Sequence, residues 1–235
     1  MTCSTPDQLA ALLQGWAGDV TLMLCDPGFA FSDWSFQGAH TTAQQAVLRA
    51  WQVARVTEVT GALPAPVVHL VVWAVTWAAT ASATLLRALP PSARLAAVHV
   101  YQRGSVISCA VVAACPAYLR VLRLFSPSMT ILPESLFRLT ALTTLNLSCC
   151  NSLTVLPESM GQLAALTSLD LRSCGSLTAL PESTGHLAAL TSLQIYTCNS
   201  FTVLPESMGQ LAALTSLHLS SCGSLTVLPE SMGQL

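Results

Sequence analysis

The tetrapeptide Leu-Pro-Glu-Ser begins at Leu132, Leu156, Leu180, Leu204 and Leu228, so one phrase returns every 24 residues. A fixed period of this length constrains a chain more than any single motif. Each unit is too short to bury its own apolar face and must stack on its neighbours, which gives a solenoid. Aligned on the tetrapeptide, the unit reads LTxLxLxxCxSLTxLPESxGxLAA, with its first leucine at Leu142, Leu166, Leu190 and Leu214.

The chemistry of the unit predicts its path. Alternating leucines make a short strand whose apolar side chains point into the core. Parallel strands are therefore expected at 119–124, 142–147, 166–171, 190–195 and 214–219, stacked in one sheet. The cysteines Cys150, Cys174, Cys198 and Cys222 recur where the chain leaves the strand, as small buried residues at a tight corner. Their side chains run parallel about 5 Å apart, whereas zinc needs tetrahedral convergence, so the ladder reads as packing and not as a metal site. Cys149 falls outside the ladder, in a sheet-face column, and is expected to be an exposed thiol. Leu153 and Leu156 close the core from the other side. Pro157 suits the first turn of a helix, and a short helix is expected from Glu158 to Leu166. The column Glu134, Glu158, Glu182, Glu206 and Glu230 then reads as solvated acids near positive helix ends. Gly161 and its repeats Gly185, Gly209 and Gly233 allow a tight path.

Upstream the pattern decays without stopping. Leu119, Leu122 and Leu124 form one earlier strand, Leu95, Val98 and Val100 a second, and Leu70, Trp73 and Val75 a third. Helices are expected over Thr80–Leu89 and Ser108–Ala114, and Pro64, Pro90 and Pro116 punctuate the returns every 26 residues. Residues 1–62 read as an N-terminal cap or diverged region, with a first strand at Val20–Leu24 and a helix at Thr41–Val59. Residues 63–118 read as diverged, helix-bearing repeats, and 119–235 as regular 24-residue repeats. The last of these stops inside a unit, at Gly233, Gln234 and Leu235. This predicts a fragment of a larger receptor or a last face covered by a partner.

Composition removes several functions. Hydrophobic residues make up 52% and charged residues 9% of the 235, which excludes a disordered chain. The net charge is −2 and no basic run exists, so no nucleic acid is expected as partner. All nine basic residues are arginine. Without lysine there is no P-loop, no kinase phosphate-binding lysine and no Schiff base, so no nucleotide is expected. The five histidines show no His-Glu-x-x-His spacing. No enzyme activity, cofactor or metal is expected. The first residues lack a basic run ahead of an apolar stretch, which predicts a cytoplasmic, reducing setting with free thiols for the nine cysteines. One alternative needs stating. Val67 to Leu86 is uncharged and long enough to cross a bilayer as a helix. Its two tryptophans, its four Thr or Ser residues and its fit to the repeat favour the solenoid.

The strand phrasing matches the L-x-x-L-x-L-x-x-N/C-x-L pattern of leucine-rich repeats. Residues 119–235, with LPxSxGxLxxLxxLxLxxC, resemble the repeats of plant intracellular disease-resistance receptors and, equally, Ras-pathway scaffold-type leucine-rich-repeat proteins. Residues 63–124, with SCAVVAACPAYLRVLRL, resemble F-box-type repeats. The resemblance implies an α/β solenoid, with a curved parallel sheet on the concave face and short helices on the convex face. It implies protein binding on the concave sheet, in signalling or defence. Neither the nucleotide-binding module of the immune receptors nor an F-box is present, so the repeat class carries over and those specific roles do not.

Comparing the repeats with one another locates the candidate site. Most positions of the four clean copies are identical, and variation collects between and after the strand leucines. One column reads Asn146, Asp170, Gln194, His218, and the next reads Ser148, Arg172, Tyr196, Ser220. His99 and Arg123 extend the first, and Tyr101 and Phe125 the second. Alternation along a strand points these residues away from the core. A protein partner is expected on this stripe, through Arg123, Phe125, Asn146, Asp170, Arg172, Gln194, Tyr196 and His218. Arg172 is expected to offer its fork to a partner carboxylate, and Tyr196 a rigid apolar face.

Overall fold

The computed structural model describes residues 20–25, 67–74, 86, 95–102 and 109–234. Among the described residues, eight strands form one parallel sheet in chain order: β1 (Val20–Cys25), β2 (Val67–Ala74), β3 (Ala97–Gln102), β4 (Val121–Phe125), β5 (Thr144–Asn146), β6 (Ser168–Asp170), β7 (Ser192–Gln194) and β8 (Ser216–His218). Strand order equal to chain order is what stacked repeats must give. Each unit leaves the sheet, passes the far side and returns one strand further on. The five expected regular strands therefore lie in one sheet. From β5 on they are only three residues long, because the chain turns away at the cysteine corner.

Parallel strands need covered faces, and here the leucines supply the cover. Leu122, Leu145, Leu169 and Leu193 are fully buried, as are Leu142, Leu166 and Leu190. Phe201 takes the place that Leu153 and Leu177 hold in earlier repeats and is also fully buried.

Residues 67–74 are a strand paired with β3, so the alternative of one helix over 67–86 is overturned. No helix among the described residues is long and apolar enough to cross a membrane. The register of β2 also differs from expectation. Leu70 pairs with Val98 and Val72 with Val100, so Trp73 lies opposite Tyr101 and not Val98, while Val75 lies outside the described residues. The run Val-Val-His-Leu-Val-Val-Trp-Ala is apolar on nearly every residue, so it lacks the alternation that would mark which side chains face inward. The expected first strand lies at Val20–Cys25 and pairs with β2. A helix, α1 (Cys109–Ala114), precedes β4, and Leu86 is helical and buried. The rest of the expected helix at 80–89 and all of that at 41–59 lie outside the described residues.

The far side of the regular repeats is corrected too. Each unit carries a five-residue 3-10 helix, such as Glu158–Gln162, and not a helix reaching Leu166. Pro157 precedes it in an extended conformation, and its carbonyl accepts the Met160 N–H at 3.0 Å. A 24-residue unit leaves no length for more, since Leu163 to Leu166 must already turn back toward β6. Gly161 sets the closeness of neighbouring turns. A Cβ there would stand 2.8 Å from the Ser183 carbonyl oxygen of the next repeat.

Candidate protein-binding face

Strand register assembles the variable positions. His99, Arg123, Asn146, Asp170, Gln194 and His218 lie opposite one another in succession from β3 to β8. Tyr101 pairs with Phe125 in the neighbouring column, their ring centroids 5.9 Å apart. Arg123 and His218 are exposed, while Phe125, Asn146, Gln194, Arg172 and Tyr196 are half-buried.

The centre of this face is a hydrogen-bonded chain that the sequence alone does not reveal. Asn146 Nδ2 donates to Asp170 Oδ2 at 2.9 Å. Arg172 Nε donates to both Asp170 oxygens, at 2.7 and 2.8 Å, and Arg172 Nη2 lies 2.6 Å from Oδ2. Arg172 Nη1 donates to Tyr196 Oη at 3.0 Å, and the guanidinium carbon stands 5.5 Å from that ring's centre. The expectation that Arg172 holds its fork open for a partner is therefore corrected. The fork is taken by Asp170, which is itself buried at 8% exposure, and this bonding raises the Arg172 pKa above its ordinary value. The physical reason is backbone geometry. Asp170 Oδ1 accepts the Arg172 N–H at 3.1 Å, as Asn146 Oδ1 accepts the Ser148 N–H at 2.9 Å. These side-chain turns bring residue i+2 back over residue i.

The next residue of each repeat closes the corner. Cys149, Ser173, Thr197 and Ser221 all have left-handed backbone, with φ of 61°, 57°, 59° and 56°. Cys149 thus sits in the turn and not on the strand. It is half-buried, against the expected exposed thiol, and burial raises its pKa.

Cys150, Cys174 and Cys198 are fully buried. Each ladder thiol donates to a strand-end carbonyl one repeat back: Cys150 to Leu124 (3.4 Å), Cys174 to Leu147 (3.2 Å), Cys198 to Leu171 (3.0 Å) and Cys222 to Ile195 (3.3 Å). Burial pushes Cys150 up to about 12 and Cys198 up to about 11, and raises Cys174 as well.

Two further ladders were missed. Thr143, Thr167, Thr191 and Thr215 each donate a hydroxyl hydrogen to the carbonyl one repeat back, at 2.9 to 3.1 Å. The recurrent Leu-Thr of the consensus is the signal that could have found them. The glutamates are exposed at the starts of the 3-10 helices, as expected, and they also link repeats. Glu158 Oε2 accepts the Ser183 N–H at 2.9 Å, Glu182 that of Ser207 at 3.2 Å and Glu206 that of Ser231 at 3.3 Å. The Ser183 backbone bond, above other causes, lowers the Glu158 pKa. Among the described residues no group of three or more His, Cys, Asp or Glu side chains is placed to hold a metal ion.

A family model for the leucine-rich repeat matches residues 141–163. No curated protein matches the chain. Among solved structures, a leucine-rich-repeat protein of Leptospira interrogans is 23% identical with a TM-score of 0.44, covering 58% of this chain and 37% of its own. The leucine-rich-repeat domain of the type III effector XopL is 22% identical with a TM-score of 0.48, covering 72% and 66%. A chain of the Toll–Spatzle complex of Drosophila is 12% identical with a TM-score of 0.47, covering 71% and 28%. The chain thus spans less than two thirds of the length of each. With the consensus phrase, the parallel ladder and the cysteine corner all in place, the chain is a leucine-rich-repeat protein.

Proposed function

We propose that this chain is a non-catalytic scaffold that binds a protein partner on the concave face of its sheet. The observation that carries the reading is the confinement of variation. In otherwise near-identical repeats, the residues that differ most are Asn146, Asp170, Gln194 and His218, opposite one another in β5 to β8, and Ser148, Arg172, Tyr196 and Ser220, two residues further along each repeat. A surface that repeats its frame and varies its contacts suits recognition, and stacked repeats present such surfaces along their length. The proposed contact residues are Arg123, Phe125, Asn146, Asp170, Arg172, Gln194, Tyr196 and His218. Tyr196 serves as a rigid anchor, held in place by Arg172. Signalling or defence, and a cytoplasmic location, fit the resemblance of the repeats and belong to this proposal.

The test is a capture experiment from native lysate with two variants of the full chain, each confirmed as folded by circular dichroism. One carries Gln194→Ala, Tyr196→Ala and His218→Ala, leaving the Asp170–Arg172 pair intact. The other carries Glu158→Gln and Glu182→Gln, which keeps an acceptor oxygen at each inter-repeat link. Partners captured by the parent chain should be lost by the first variant and kept by the second. Loss by the second alone places binding on the opposite face.

A further inference from the structure

We infer that the partner presents an acidic protein segment with an apolar side chain next to its carboxylate, and that Arg123 together with the Tyr101–Phe125 ring pair receives it. This rests on the sheet-face reading above and adds the chemistry of the partner and the place of its anchor.

Among the described residues the acids are segregated by face. Five of the six acids, Glu134, Glu158, Glu182, Glu206 and Glu230, open the 3-10 helices on the far side. The sixth, Asp170, is on the sheet face but is bound to Arg172. That leaves Arg123 as the exposed arginine of the β-strand columns. Its strand neighbours in the same column are His99 and Asn146, neither of them acidic. An arginine so placed offers a planar fork to a carboxylate. Beside it stand two half-buried rings in contact, Tyr101 and Phe125. They form an apolar platform within the field of Arg123, which acts to lower the Tyr101 pKa although burial raises it overall. A carboxylate beside an aromatic or aliphatic side chain matches both halves of this patch. The row of glutamates repels the same segment from the far side, so these described charges orient the encounter. One such arginine does not make the multi-cation track that a phosphate backbone requires.

The experiment selects a displayed random-peptide library on the full chain and then measures affinities of the enriched peptides. Enriched sequences should carry Asp or Glu adjacent to an aromatic or aliphatic residue. Arg123→Gln should weaken their binding by about tenfold or more, the loss of one charge-assisted pair. Glu158→Gln should leave it within about twofold. Raising salt from roughly 50 to 300 mM should weaken binding to the parent chain and barely affect the Arg123→Gln variant. Arg123 is exposed, so its replacement leaves the core intact. Neutral or basic enriched peptides, or acidic ones indifferent to Arg123→Gln, overturn the inference. If such peptides still lose binding in the Gln194→Ala, Tyr196→Ala, His218→Ala variant, the face reading survives and only the partner chemistry fails. If no sheet-face variant matters, both fail. Arg123-dependent binding of a single-stranded DNA oligomer tighter than any peptide would reassign the patch to nucleic acid and also overturn the inference.

Discussion

Asp170 and Arg172 stand where β6 ends, and the pair answers a need that the preceding repeat meets with Asn146 and Ser148. Both Asn146 and Asp170 accept the backbone N–H two residues on. An amide does so without charge, but a carboxylate at 8% exposure needs a cation, and Arg172 supplies it. Arg172→Ala should therefore cost about 2 kcal/mol. That is below the roughly 3–5 kcal/mol of a fully buried pair, because the arginine side chain remains 37% exposed. The double change Asp170→Asn with Arg172→Ser restores the pattern of the preceding repeat and should come within about 0.5 kcal/mol of the parent. Urea unfolding of the three proteins decides the point, and a double variant no better than the single one would sink it. Thr184 makes a second case. It holds the position of Met160 and Met208, all three fully buried, and its hydroxyl has no hydrogen-bond partner. Thr184→Val keeps the shape and removes the orphan, so it should stabilise the chain by about 1 kcal/mol. An unchanged or lower urea midpoint would show that the hydroxyl is satisfied. Neither feature could be read from the sequence as such. The identity of the variable columns was legible, because four copies could be compared. Which of their members bind one another was not, because that depends on a turn that folds residue 172 back over residue 170.

The 3-10 helices show how one element limits what its repeat can be. Gly161, Gly185 and Gly209 each face the serine that is the second residue of the next 3-10 helix. A Cβ at Gly185 would lie 2.6 Å from both Ser207 Cβ and the Ser207 carbonyl oxygen, and the backbone oxygen cannot swing aside. Gly185→Ala should then cost about 1–3 kcal/mol as overpacking. Gly233 fills the same place in the last unit and has nothing within 4 Å of an added Cβ, so Gly233→Ala should leave stability unchanged. Thermal melts of the two variants test this, and equal midpoints would show that the glycine column is not set by contact between turns. The strands of 119–235 were legible because a strict period and alternating leucines left one register. The β2 register was not, since a uniformly apolar run fits several. The helix type was misjudged because proline, glutamate and serine in sequence suit α and 3-10 starts alike. Only the distance to the next repeat separates them.

At the scale of the whole molecule, the inter-repeat links form ladders, and this gives the solenoid a distinctive response to alkali. Each buried ladder thiol donates to a carbonyl one repeat back and can do so only while protonated. Burial raises Cys150 to about 12 and Cys198 to about 11 from an ordinary 9.0, and Cys174 moves the same way. The folded pKa is thus above the unfolded one. The unfolded chain loses these protons first as pH rises through 9, while the folded chain holds them. Stability from the neutral thiols is accordingly complete below pH 9 and falls until the folded pKa near 11 to 12 is reached. The slope is at most about 1.4 kcal/mol per pH unit for each thiol. Because the thiols sit in successive repeats, they act on one continuous core, and their slopes add across the stack. The Cys150→Ala, Cys198→Ala double variant should be less stable at pH 7, by roughly 1 kcal/mol per site from lost packing. It should nevertheless lose less on going from pH 8.5 to 10.5, so the two stability curves converge. Urea unfolding across that range under reducing conditions provides the measurement. Parallel curves, with the parent falling no faster than the variant, would mean that the ladder thiols are not what alkali attacks.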